Sequence, residues 1–411
     1  MKNEHVFVVA DEFCTTASGG RVAQCVVRHL LESGAYVTVI SPVVRDDAPD
    51  YADHCRLTIM RQPQCAIPAL QHLVSFEPVN EFEKLLAEHR PSVVHFCSLG
   101  YHVSRLLLQT AKRYGARIVT QYFVHSAECA RQMNCLTAGA CNRCSGGNFY
   151  NAIRYGCGPW KTRAVQAVSR YLHWKLDVPL IDAALSTCSE MDKWLEGMGV
   201  KNIVRCPLPY AHPTSASEEV EEGDYFLFSG QFRPEKGSRV LERVIQEARD
   251  IKLVILPLVP AHRKTEYDGF VNRVRPFIGK NIVIDERVRW NTGGDKIARN
   301  CRAVLLPSVW PTSTEYTLLE ALSMSKPIVA FNVGVHKDVL VHESNAMVYE
   351  IGDFNGYLEG IHRVQNDALL RNKLSEGARN LFQFMTDRRR VFDALKQAYG
   401  FEESSTCRKS A

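Results

Sequence analysis

The chain lacks any run of the ~18–20 uninterrupted apolar residues that a bilayer-spanning helix requires. It also lacks a recognisable leader: Met1-Lys2-Asn3-Glu4-His5 runs into a short apolar stretch and then Asp11-Glu12, too short and too acidic for a secretory signal. The expected location is therefore the cytoplasm. No sequence unit repeats at the short periods of solenoids or propellers. Neither sign of charge dominates, since a net +5 over 411 residues is small and mixed, permitting an anionic partner without demanding nucleic acid. Apolar content of 45% and charge of 23% exclude fibre and disorder.

What is present is length and alternation. A chain of 411 residues exceeds one ordinary core and suits two domains of roughly 200 residues each. The opening reads as strand (His5–Ala10), loop, helix (Arg21–Ser33), Gly34 and strand (Tyr36–Ile40), with Val22, Val26 and Leu30 forming an apolar stripe at four-residue spacing. Apolar strands at Val93–Cys97, Arg117–Val124 and Ala183–Ser186 continue the alternation with helices, the signature of a parallel sheet. Residues 214–223, TSASEEVEEG, are small and acidic and read as a linker. The pattern then restarts at Tyr225–Phe228, with a helix from about Ser238. The expected architecture is two doubly wound Rossmann-like α/β domains, 1–213 and 224–385, facing across a cleft in which a ligand would bind.

Three segments carry candidate chemistry. Gly230-Gln231-Phe232-Arg233-Pro234-Glu235-Lys236-Gly237 follows the first strand of the second half, where a glycine turn and a lysine at a helix start suit a phosphate. An ordinary β–α turn with a solvated lysine fits the same residues. The block Leu305–His336 reads strand, loop, helix, strand, with Glu320 inside the helix; a carboxylate there can accept from both vicinal hydroxyls of a ribose. Thr312 and Glu315 have the spacing of a capping box, and Glu315 is alternatively a contact to a sugar or to Lys236. Ser18-Gly19-Gly20, placed in the loop before the first helix, lets backbone amides approach an anion. His125 closes the strand Arg117–Val124.

Fourteen cysteines are scattered apart from one cluster, Cys129, Cys135, Cys141 and Cys144, spaced C-x5-C-x5-C-x2-C, with Cys157 beyond. Four thiols in this order can hold a tetrahedral structural zinc; an iron–sulfur cluster and reduced thiols are the competing readings. Four sulfur ligands leave no open position, so a catalytic metal is not expected here.

Taken in order, these segments resemble retaining glycosyltransferases of the GT-B fold in the "glycosyl transferases group 1" family. The resemblance runs from Gly19-Gly20 through His125 and Lys236 to Glu320 and Asn345–Asp353, with a cysteine-rich loop over 125–157. It departs at two positions. Gln231 stands where the family has an arginine, and Thr312 where it has the first of two glutamates eight residues apart. The resemblance implies transfer of a sugar, with retention, from a nucleotide-diphosphate sugar to a hydroxyl of a saccharide or lipid-linked saccharide. It assigns catalytic roles to His125, Lys236 and Glu315. Donor contacts fall to Gly19, Gly20, Gly230, Gln231, Arg233, Lys236, Thr314, Tyr316 and Glu320. It implies return of the last helix, 389–399, to the first domain, and peripheral contact with an anionic membrane at its inner face, with which the basic run Arg388–Arg390 and Arg408-Lys409 is compatible. Two alternatives share the fold: a nucleotide-sugar epimerase or hydrolase, and a non-catalytic binding subunit.

Overall fold

The computed structural model describes residues 1–14, 18–44, 55–61, 77–97, 103–123, 129, 141–158, 160–208, 210, 223–313 and 315–401. The linker at 214–222 lies outside them. The chain divides into two compact units. The first comprises Met1–Asn134, Asn142–Ala211 and Thr386–Ala411; the second comprises His212–Met385 together with Cys135–Cys141.

In the first unit the strands are β1 (His5–Val9), β2 (Glu12–Phe13), β3 (Tyr36–Ser41), β4 (Val43–Val44), β5 (Leu57–Arg61), β6 (Val93–Phe96), β7 (Arg117–Gln121), β8 (Ala183–Ser186) and β9 (Ile203–Arg205). Seven of them form one parallel sheet in the order β5-β3-β1-β6-β7-β8-β9, and β2 pairs with β4 apart from it. Val6, Phe7, Val8 and Val9 are all fully buried, as a strand covered on both faces must be. The helix Ser18–Glu32 buries Val22, Val26 and Leu30. The final helix, Arg388–Tyr399, starts on an Asp387 side-chain cap and packs against β7, β8 and β9. Tyr399 Oη lies 2.7 Å from His95 Nδ1, and Arg117 Nε donates to Ala398 O at 2.8 Å. Burial pushes the His95 imidazole down to about 3, so it stays neutral beside the tyrosine.

The second unit contains β10 (Phe226–Gln231), β11 (Leu253–Leu258), β12 (Ile282–Ile284), β13 (Ala303–Leu306), β14 (Ile328–Phe331) and β15 (Met347–Tyr349). They form a parallel sheet ordered β12-β11-β10-β13-β14-β15. Its core joins Phe226, Ile255, Leu305, Val329 and Met347 from the strands to Leu241, Phe270, Tyr357 and Leu374 from the helices. Among the described residues no helix is long and apolar enough to cross a membrane.

Candidate functional site

The sheet of the second unit reverses direction of growth between β10 and β13: β11 and β12 are added on one side, β14 and β15 on the other. At such a switch point the loops leaving the two central strands diverge and open a crevice at their carboxyl ends. Here those loops are 232–237 and 307–315. They are the two segments singled out by sequence in this half of the chain.

The first loop is built for close approach. Gly230, within β10, has φ +148°, and the neighbouring Ser229 carbonyl accepts from Thr317 Oγ1 at 3.2 Å. Gln231 ends the strand, exposed. Arg233 is extended and precedes a single 3-10 turn, Pro234–Lys236. Gly237 follows at φ +87°, and a Cβ there would lie 2.1 Å from Pro307 O, inside the second loop. Only glycine allows both that backbone conformation and that contact. The helix Ser238–Glu247 then begins, with its first amides beside Lys236.

The second loop is held from both sides. Val309 N donates to Glu235 O at 3.0 Å, and Val335 N donates to Thr312 O at 2.7 Å. Gly334, at φ +47°, passes so near that a Cβ would fall 2.0 Å from Thr312 O. Thr312 and Ser313 are buried. The helix carrying Glu320 spans Tyr316–Ser323, its N-cap is Glu315, and no side chain caps it. The expected capping box of Thr312 and Glu315 is therefore absent: the helix begins three residues later than that box requires, and Thr312 belongs to the loop.

Glu315 is the charge centre of the loop. Its carboxylate lies 2.8 Å from Lys236 Nζ, accepts from Ser308 Oγ at 3.0 Å, and lies 3.0 Å from His336 Nε2. His336 Nε2 makes this approach without an aligned hydrogen bond; the other ring nitrogen is 3.0 Å from Phe331 O. Burial opposes ionisation of Glu315, but Lys236 and His336 outweigh it and hold the carboxyl well below the usual carboxylate range. Lys236 Nζ also lies 5.4 Å from the centre of the Trp310 ring. Ser308, Trp310 and His336 were not among the sequence candidates. No short motif marks them, because they meet Glu315 or Lys236 only through the fold.

Glu320 is the fifth residue of its helix and is buried, as is Tyr316 at the first. Thr314 and His125 lie outside the described residues. Gly19 and Gly20 are not in a loop; they form the first turn of the helix Ser18–Glu32. A Cβ on Gly20 would come 2.6 Å from Cys14 O, so its glycine character lets the helix start directly against the segment after β1.

Just past the carboxyl end of β7 lies a buried polar chain that sequence reasoning did not find. Tyr122 Oη is 3.1 Å from His173 Nε2, His173 Nδ1 is 3.1 Å from Asp177, and Arg105 grips Asp177 with two bonds of 2.8 Å. Asp177 has no exposed surface. The arrangement anchors Tyr122, the residue after β7.

Of the cysteines proposed for zinc, Cys135 lies outside the described residues. Cys129, Cys141 and Cys144 are each partly exposed. Among the described residues no three His, Cys, Asp or Glu side chains come together as a metal site. Cys144 and Cys157 pack against a small apolar cluster of Phe149, Ala152 and Ala167, with Trp174.

Two parallel, doubly wound Rossmann-like domains define the GT-B fold. Residues 214–381 match the model of the family described as "Glycosyl transferases group 1". Solved structures share the fold over nearly the entire chain. Sucrose-phosphate synthase from Thermosynechococcus elongatus is 14% identical, with 97% of this chain and 99% of that one covered and a TM-score of 0.65. Anabaena HepE, in complex with UDP and glucose, is 10% identical, with 97% and 100% covered and a TM-score of 0.66. WaaG, a glycosyltransferase involved in lipopolysaccharide biosynthesis, is 12% identical, with 97% and 100% covered and a TM-score of 0.63. No curated protein matches the chain.

Proposed function

We propose that the protein is a retaining glycosyltransferase that takes a sugar from a nucleotide-diphosphate donor and attaches it to a hydroxyl of a saccharide or lipid-linked saccharide. The observation that carries this reading is the pairing of Lys236 with the Glu315 loop at the β10/β13 switch point, with Glu320 on the helix that follows. Lys236 and the first amides of the helix Ser238–Glu247 supply positive charge for a diphosphate. Glu320 supplies acceptors for a ribose. The leaving diphosphate is then stabilised electrostatically, with no catalytic metal required by the scheme.

In this scheme Glu315 is a positioning residue. Its carboxylate faces Lys236, Ser308 and His336, and through them it fixes where the lysine charge stands. Gly19 and Gly20, in the first turn of their helix, are assigned to the donor phosphates, and His125 to the reacting sugar. HepE and the family match make a uridine diphosphate sugar the first donor to test.

The test is a titration of the purified chain with UDP, GDP and ADP and their glucose or mannose conjugates, followed by NMR of the product's anomeric proton with an added acceptor. Binding of one nucleotide series and a product with the donor's anomeric configuration support the reading. Inversion would remove the retaining assignment, and absence of binding across all series at millimolar concentration would remove the donor site. An epimer or free sugar formed without acceptor would favour the epimerase or hydrolase alternative.

A further inference from the structure

Residues 122–182 connect β7 to β8, several times the dozen or so residues that a parallel crossover needs. The described part of this connection has an unusual surface. Of the sixteen large apolar side chains exposed among the described residues, seven lie between Tyr150 and Leu176. Trp160 is 77% exposed and Tyr150 68%.

The helix Arg163–Leu172 is turned with apolar residues outward. Ala164, Val168 and Tyr171, one stripe at four- and three-residue spacing, are exposed, while Ala167 and Arg170 are buried. The platform beneath is ordered by its own cluster of Phe149, Ala152 and Ala167, packed with Trp174.

Charge in this stretch has one sign. From Cys129 to Leu176 there is no aspartate or glutamate, against seven arginines and lysines, which exceeds the net charge of the entire chain. Arg143, Arg154, Lys161 and Lys175 are exposed. All four lie over aromatic rings: Arg143 is 4.0 Å and Arg154 5.5 Å from the centre of Tyr155, Lys161 5.7 Å from that of Trp160 and Lys175 5.6 Å from that of Trp174.

We infer that this surface docks the first unit on an anionic lipid membrane. Tyr150, Tyr155, Trp160 and Tyr171 would lie at headgroup level, with Arg143, Arg154, Lys161 and Lys175 against lipid phosphates. Aliphatic side chains interleaved with the bases, Ile153, Val168 and Leu176, favour lipid over nucleic acid: they can enter an acyl boundary but cannot stack on a base. The basic run at Arg388 is not counted in this surface, since Arg388 is bonded to Glu32. The inference needs no assumption about which sugar is transferred.

The experiment is co-sedimentation of the full chain with vesicles of phosphatidylcholine alone and of phosphatidylcholine with phosphatidylglycerol at 7:3, at low and high salt. Binding is expected on the anionic vesicles and should weaken as salt rises. Arg154→Ser with Lys161→Ser should lower partitioning at low salt by about thirtyfold. Trp160→Ala with Tyr171→Ser should lower it at both salt concentrations. Brominated acyl chains should quench tryptophan fluorescence of the unaltered protein, a readout that does not depend on the variants folding. Nucleoside-diphosphate affinity without vesicles should be unchanged in both variants, which separates this surface from the donor site. Equal binding to neutral and anionic vesicles, partitioning unmoved by both variants, or binding to single-stranded RNA without binding to vesicles would overturn the inference.

Discussion

Lys236 and Glu315, 79 positions apart, form an ion pair of 2.8 Å that ties the loop after β10 to the loop after β13. The carboxylate is almost wholly buried and the ammonium only partly exposed. Because the Glu315 carboxyl is held far below its unfolded range, ionised Glu315 stabilises the fold at every pH above about 4.5, the ordinary glutamate value. That contribution is lost as pH falls from there toward the folded value. Glu315→Gln should therefore flatten the acid limb of a stability profile measured by thermal melts between pH 7 and pH 3. Glu315→Ala, which leaves Lys236 and His336 without their carboxylate, should cost about 3 kcal/mol at pH 7. A variant with the same acid limb as the parent would show that the pair does not stabilise the loops.

Lys236 stands immediately before the first amides of the helix Ser238–Glu247, so its removal should be felt chiefly through phosphate. Lys236→Ala should weaken nucleoside-diphosphate binding by roughly 10–100-fold, the range of a lost charge-assisted hydrogen bond of about 1.5–3 kcal/mol. Affinity for the bare nucleoside should stay unchanged. Isothermal titration with the two ligands distinguishes this outcome from general damage to the pocket, which would weaken both.

Glu320 has a different signature, because a ribose contact discriminates hydroxyls and not charge. Glu320→Ala should lower affinity for the ribonucleoside diphosphate about tenfold and leave the 2′-deoxy analogue nearly unaffected. The parent should prefer the ribose form and the variant should not. Retained preference in the variant would place the ribose elsewhere.

The sheets were legible in the sequence because parallel strands covered on both faces appear as continuous apolar runs, as in Val6–Val9 and Val304–Leu306. Helix faces were legible for the same reason: Val22, Val26 and Leu30 share one side of their helix. The loops that shape the site were less so. Thr312 and Glu315 have cap-box spacing, yet Gly334, far along the chain, occupies the space against Thr312 and makes those residues part of a loop. Gly20 was read as an open anion loop, whereas the close approach of Cys14 makes it the start of a helix. His336 and Ser308 became recognisable only through their contact with Glu315. In each case the deciding neighbour lies outside the motif itself, and spacing within the motif carries no information about it.

Gly237 and Gly279 separate backbone conformation from close approach. Both have positive φ, +87° and +80°, but Gly279 has nothing within 4 Å of a would-be Cβ, while Gly237 would meet Pro307 O at 2.1 Å. Gly279→Ala should cost only the left-handed penalty, about 1 kcal/mol. Gly237→Ala adds a backbone collision that no rotamer relieves and should cost about 3 kcal/mol or more. Because the collision pushes the loop that carries Glu315 away from Lys236, the variant should also lose nucleoside-diphosphate affinity at a temperature where it is still folded. Urea melts paired with titration measure both. Equal destabilisation by the two substitutions, with binding intact, would mean that the contact between Gly237 and Pro307 does not set the geometry of the loop.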